Sequence, residues 1–215
     1  MQTTAIMDKY LTARYTFFKW RYSLSLVNKF GLAFAMACLT GLMAQIRINL
    51  AFTPVPITGQ VFAVLLSGVV CGGIFGSISQ IIYVGLGIAG LPWFAAFSPH
   101  SDYLFALPTG GYLIGFVIAP LLIGRYTDRY IGARTFFSQI KLMMLGVGVI
   151  YLFGAIILAM VMRYSFWETL LKGVIPFVLI DLIKAALAAC ASWTILPRTS
   201  YNGEFDRPNL ASPFK

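Results

Sequence analysis

From Ile48 to Pro99 the chain contains no Lys, Arg, Asp or Glu. A soluble domain carries roughly one charged residue in four, because its surface must be solvated. An uncharged run of this length therefore belongs in hydrocarbon. It is also too long for one membrane span of about 17–25 residues, and Cys71-Gly72-Gly73 divides it into two short ones. Four further tracts have spanning length: Phe30–Ile46, Tyr103–Gly124, Leu142–Met162 and Gly173–Pro197. The expected fold is an all-α integral membrane protein with six transmembrane helices. Its divisions are a basic amphipathic segment at 1–29, a membrane domain at 30–197 and a polar tail at 198–215, expected to be poorly ordered. Over the whole chain 59% of residues are hydrophobic and 11% charged.

The formal net charge of +9 could indicate nucleic acid, but the placement of the charge argues otherwise. Lys9, Arg14, Lys19, Arg21 and Lys29 precede the first tract; Arg125, Arg129, Arg134 and Lys141 join the fourth to the fifth; Arg198, Arg207 and Lys215 follow the sixth. Those twelve of the sixteen basic residues fall on one side if six helices alternate. The positive-inside rule then puts both termini in the cytoplasm. No cleavable signal peptide is evident, because the first apolar run follows an aromatic, basic stretch (Tyr15, Phe17, Phe18, Trp20, Tyr22) suited to the membrane interface. Cys38, Cys71 and Cys190 lie inside the tracts and His100 is the single histidine, so neither a disulfide framework nor a metal site is expected.

The chain has no phosphate-binding glycine loop followed by Lys-Ser/Thr, and no cofactor is expected. Two connecting segments are richer than simple turns. In Asn49–Gln60, Pro54 and Pro56 stiffen the backbone, and Thr53, Thr58 and Gln60 supply hydrogen-bonding groups. The second, Gly90–His100, carries Trp93 and Phe94. Inside the last tract, Asp181 and Lys184 are three residues apart and so share one helix face. A charge at membrane depth costs about 3 kcal/mol and must face protein, water or ligand. The pair can be a self-satisfied ion pair, or a binding site for a ligand with a donating N–H beside an acceptor oxygen. In the first tract, Ala33 and Ala37 form an A-x-x-x-A pattern that permits close helix–helix approach.

Four of these segments, in order, resemble the BioY proteins, the biotin-specific S-components of energy-coupling factor (ECF) vitamin transporters. Thr53-Pro-Val-Pro-Ile-Thr-Gly-Gln60 is similar to the family's T-P-V-P-[IM]-T-x-Q motif. Gly85–Phe94 resembles its G-x-x-G-L-P-V-F region, Pro108–Phe116 its P-T-G-G-Y-L-x-G-F segment, and Asp181-Leu-Ile-Lys184 its D-x-x-K pattern. The resemblance implies a six-helix S-component bundle in the bacterial cytoplasmic (inner) membrane, with a biotin pocket opening outward. Asp181 and Lys184 would contact the ligand's cyclic urea, Asp181 accepting from an N–H and Lys184 donating to the oxygen. Gln60, Thr53 and Thr58 would add polar contacts, and Tyr83, Trp93, Phe94 and Tyr112 would line the apolar body. Arg47, His100 or a loop N–H would meet the carboxylate. Ala33 and Ala37 match the face by which S-components dock on a transmembrane coupling subunit, and two ATPase subunits would hydrolyse the ATP. The chain departs from the family at Gly59, where a larger residue is usual, and over Ala95–Phe105, where a glycine-rich stretch is common.

Two other readings compete. An S-component for a different vitamin would share the fold, and a proton-coupled secondary transporter would use Asp181 as its proton carrier. An intramembrane enzyme lacks a base or metal constellation around its lone histidine, so no enzymatic activity is expected.

Overall fold

The computed structural model describes residues 2–95, 107–200 and 204–206. Among the described residues there are eight α-helices: α1 Gln2–Ser23, α2 Leu26–Gln45, α3 Gln60–Cys71, α4 Gly73–Ile88, α5 Gly110–Arg129, α6 Phe136–Met162, α7 Phe166–Gly173 and α8 Ile175–Ile195. A short antiparallel ladder pairs β1 (Arg47–Ile48) with β2 (Ile57–Thr58), so the bundle is not purely helical. The ladder follows from Pro54 and Pro56, which keep the segment extended while it doubles back.

Four helices, α2, α5, α6 and α8, are long and apolar enough to cross a membrane. The expected count of six transmembrane helices is not reproduced among the described residues. Helices α3 and α4 are apolar but have 12 and 16 residues, roughly 18 and 24 Å of rise against a hydrocarbon core of about 30 Å. The reason lies at Gly72, whose φ of +81° reverses the chain directly from one helix into the next. The resulting hairpin is very tight. A Cβ on Gly76 would lie 2.9 Å from the Gly68 Cα, and one on Gly124 would lie 2.2 Å from the Gly73 nitrogen. Backbones thus meet where α3, α4 and α5 converge.

Helix α3 is apolar nearly all round and is the central element, with Ala63, Val64 and Leu65 wholly buried. Around it, α2, α6 and α8 turn apolar side chains outward, among them Val27, Leu42, Leu152, Met160, Leu179 and Leu187. A surface of that kind suits lipid. Ala33 and Ala37 go the other way: both are fully buried within this chain. In this fold neither presents surface beyond the chain's own atoms. Their small size lets α2 approach α4 and α3, with which it packs.

At the end of the bundle where α3, α5 and α8 finish, three arginines cover the last carbonyls, which have no partner within a helix. Arg14 of α1 donates to Trp193 O at 2.7 Å and to Leu196 O. Arg21 of α1 donates to Val69 O at 2.7 Å and pairs with Asp128. Arg134 donates to Thr127 O at 2.9 Å and Asp128 O at 3.2 Å, and pairs with Glu204 at 2.8 Å. The guanidiniums of Arg21 and Arg134 both lie over the Phe18 ring, 4.4 and 4.5 Å from its centre. Positive charge at three helix C-termini also complements their dipoles. Helix α1 is thus docked on the bundle by Arg14, Phe18 and Arg21. The tail likewise contributes fixed residues: Glu204 is buried, and Asp206 accepts from the amides of Ile131 and Gly132 at 2.6 and 2.7 Å. Burial pushes the Asp206 carboxyl up, but those amide bonds hold it below the ordinary carboxylate value.

Candidate functional site

The opposite end of the bundle holds a cavity of about 150 Å³ where α3, α5 and α8 begin. One wall is charged. Asp181 is 3% exposed. Its Oδ1 accepts from Lys184 Nζ at 2.7 Å, one turn along the same helix, and its Oδ2 accepts from the Tyr151 hydroxyl of α6 at 2.6 Å. A carboxylate has about four acceptor positions and an ammonium three donors. Asp181 therefore keeps about two acceptor positions, and Lys184 about two donors, beyond the contacts made among the described residues. A carboxylate and an ammonium side by side can take a group carrying N–H next to a strong acceptor oxygen.

The polar part of the facing wall comes from the proline-stiffened segment and α3. Thr58 donates to Gln60 Oε1 at 2.9 Å, and Gln60 Nε2 donates to the Tyr83 hydroxyl at 2.6 Å. Tyr83 closes this chain at Trp93 O, 3.4 Å away. Between the walls the lining is apolar: Val55 and Ile57 from the loop, Phe94, then Leu113 and Phe116 of α5 and Phe177 of α8.

Most of the residues expected at the site meet there. Asp181, Lys184, Gln60, Thr58, Tyr83, Phe94 and Tyr112 all line the cavity. Thr53 and Trp93 do not, and act one layer behind. The Thr53 hydroxyl donates to Lys172 O at 2.6 Å and ties the loop to α7. Trp93 packs on Tyr83 at 5.2 Å and donates its indole N–H to Tyr83 O at 2.9 Å, filling the space left by Gly41. Arg47 is not part of the lining. It donates to Ala95 O and so holds a residue that is. His100 lies outside the described residues. Tyr151, Phe116 and Phe177 were not anticipated. Only the fold brings them to the site, because aromatic residues inside apolar helices carry no sign of which way they face.

Glycines set the depth of the cavity. The Tyr112 ring occupies the room left by Gly154, where a Cβ would lie 2.4 Å from it, and its hydroxyl donates to Gly173 O at 2.7 Å. Phe94 sits over Gly87 in the same manner. Gly154→Ala should push Tyr112 into the cavity. Overpacking of this kind costs about 1–3 kcal/mol, so ligand affinity, measured by calorimetry, is expected to fall about tenfold with the bundle intact.

Several known proteins resemble this chain. The BioY family profile matches residues 12–200. The probable biotin transporter BioY of Methanothermobacter thermautotrophicus is 39% identical over 148 residues, covering 66% of this chain and 94% of that one. The biotin transporter BioY of Thermotoga maritima is 37% identical over 142 residues, covering 66% and 81%. Among solved structures, the S-component for biotin from an ECF-type ABC transporter superposes with a TM-score of 0.70 at 24% identity, covering 80% of this chain and 93% of that one. The profile runs through the proline-stiffened loop, the α5 wall and the Asp181–Lys184 pair alike, and the chain therefore belongs to the BioY family.

Proposed function

We propose that this protein is the biotin-capturing membrane subunit of an ECF-type transporter. The observation that carries the proposal is the Asp181–Lys184–Tyr151 cluster at the wall of an otherwise apolar cavity. Biotin's ureido ring has N–H donors beside one strong acceptor oxygen, which suits a carboxylate next to an ammonium. Its thioether ring and aliphatic chain suit Phe94, Phe116 and Phe177. A cavity below the roughly 300–1,000 Å³ of drug-sized sites favours a small ligand. The names of the relatives support the same ligand.

In this reading α3 and α4 cross the membrane as two short spans, giving six in all, with the two ends of the chain in the cytoplasm. Twelve basic residues then lie on the inner side, and the cavity faces outward. The subunit performs no covalent chemistry. A transmembrane coupling subunit and two ATPase subunits supply the energy, and the membrane is the bacterial cytoplasmic one.

Calorimetry on the purified full chain tests the ligand. Biotin should bind at nanomolar concentration with one site per chain, about −12 kcal/mol, while thiamine and riboflavin should not compete. Folded protein that ignores biotin but binds another vitamin would overturn the assignment.

A further inference from the structure

A second cavity, about 460 Å³, lies between α6 and α7 on the outside of the bundle. Small residues on one face of α6 hollow it out: Gly148, Ala155 and Ala159, with Phe166 and Leu170 of α7 as the facing wall. A Cβ on Gly148 would meet nothing within 4 Å. Two lining residues carry side-chain polar groups, and both are already engaged. The Thr169 hydroxyl donates to Ser165 O at 2.9 Å and that of Tyr151 to Asp181 at 2.6 Å. The groove thus suits hydrocarbon better than a polar ligand, whose own groups would find few partners there.

Its length and its mouth indicate which hydrocarbon. From Gly148 to Ala159 the helix rises about 16 Å, the depth of one leaflet of a hydrocarbon core about 30 Å thick. The mouth lies where α6 gives way to α7, and α7 turns Phe166 and Trp167 outward, 71% and 70% exposed, as residues at a membrane interface do. Three charged residues stand beside its lining along the chain, at 163, 168 and 172. Glu168 is held by Ser165 in the cap of α7, the Lys172 ammonium lies 4.2 Å over the Tyr164 ring, and Arg163 makes no ion pair among the described residues. The balance is cationic.

We propose that this groove holds one acyl chain of a phospholipid from the leaflet on the cavity side, with Arg163 and Lys172 receiving its phosphate. The chain lies against the ring of Tyr151, whose ring also lines the first cavity. The lipid thereby backs the residue that orients Asp181.

Native mass spectrometry of the full chain, released from phosphatidylglycerol nanodiscs, tests this. Wild type should retain one phosphatidylglycerol per chain. Ala155→Phe and Ala159→Leu fill the groove at different depths, and each should lower that occupancy about tenfold in monodisperse protein. The Arg163→Gln, Lys172→Gln double variant should lower it severalfold. Wild type retaining no lipid, or both groove variants retaining as much as wild type, overturns the proposal. A lipid-free dimer would assign the groove to a second copy of the chain. Unchanged retention in the double variant would remove the phosphate contacts.

Discussion

Asp181→Asn is expected to weaken biotin binding on the order of 100-fold or more. The carboxamide cannot neutralise Lys184, and it offers the ligand a donor where an acceptor was. Breaking a buried ion pair from one side costs about 3–5 kcal/mol, and each 1.4 kcal/mol is tenfold in affinity. Lys184→Met should have a comparable effect from the other side, by leaving the Asp181 charge with Tyr151 alone. Calorimetry beside a thermal transition separates lost binding from lost folding. Tyr151→Phe adds the finer test. The Tyr151 hydroxyl donates to Asp181 at 2.6 Å; if it acts through that carboxylate, its loss should cost about tenfold in wild type and little in the Asp181→Asn background. An equal loss in both backgrounds would mean that Tyr151 contributes shape alone.

The second large effect is expected far from the ligand. Arg134→Ala should lower the thermal midpoint by about 10 °C or more. The side chains of Arg134 and Glu204 are both 0% exposed. Removing the guanidinium leaves the Glu204 carboxylate without its cation, and the carbonyls of Thr127, Asp128 and Thr199 without their donor. Glu204 keeps its hydrogen bond from the Ser200 hydroxyl at 2.7 Å, and breaking a buried ion pair from one side costs about 3–5 kcal/mol. Glu204→Gln should cost less, since Arg134 then keeps its three carbonyls. Biotin affinity per folded molecule should not change in either variant, because the network lies at the opposite end of the bundle. If the two variants prove equally stable, the carbonyl contacts contribute nothing measurable.

Much of the site was legible before any fold was known. Hydrocarbon excludes charge, so uncharged tracts mark candidate membrane segments though not their exact ends, and an ion pair inside one of them draws attention by itself. The three-residue spacing of Asp181 and Lys184 is a property of a single helix, and the stiffness of Thr53–Gln60 is a property of proline. These are local rules, and the structure agrees with them.

The sequence by itself determined the membrane character of the chain, the break at Gly72, and the polar pair with the loop and aromatic residues that gather near it. The tertiary structure decided what each of those groups faces. Ala33 and Ala37 announce a close approach, and in the fold both are buried within the chain on a helix that packs against α4 and α3. Thr53 and Trp93 carry the right groups yet stand behind the wall, because their hydrogen bonds run to Lys172 and Tyr83. Arg14, Arg21 and Arg134 read as charges that orient a membrane protein, and in the fold they also close the ends of three helices. Tyr151 joins Asp181 across 30 residues of chain. A side chain's direction depends on where neighbouring helices lie, and residues this far apart meet only once the bundle has packed.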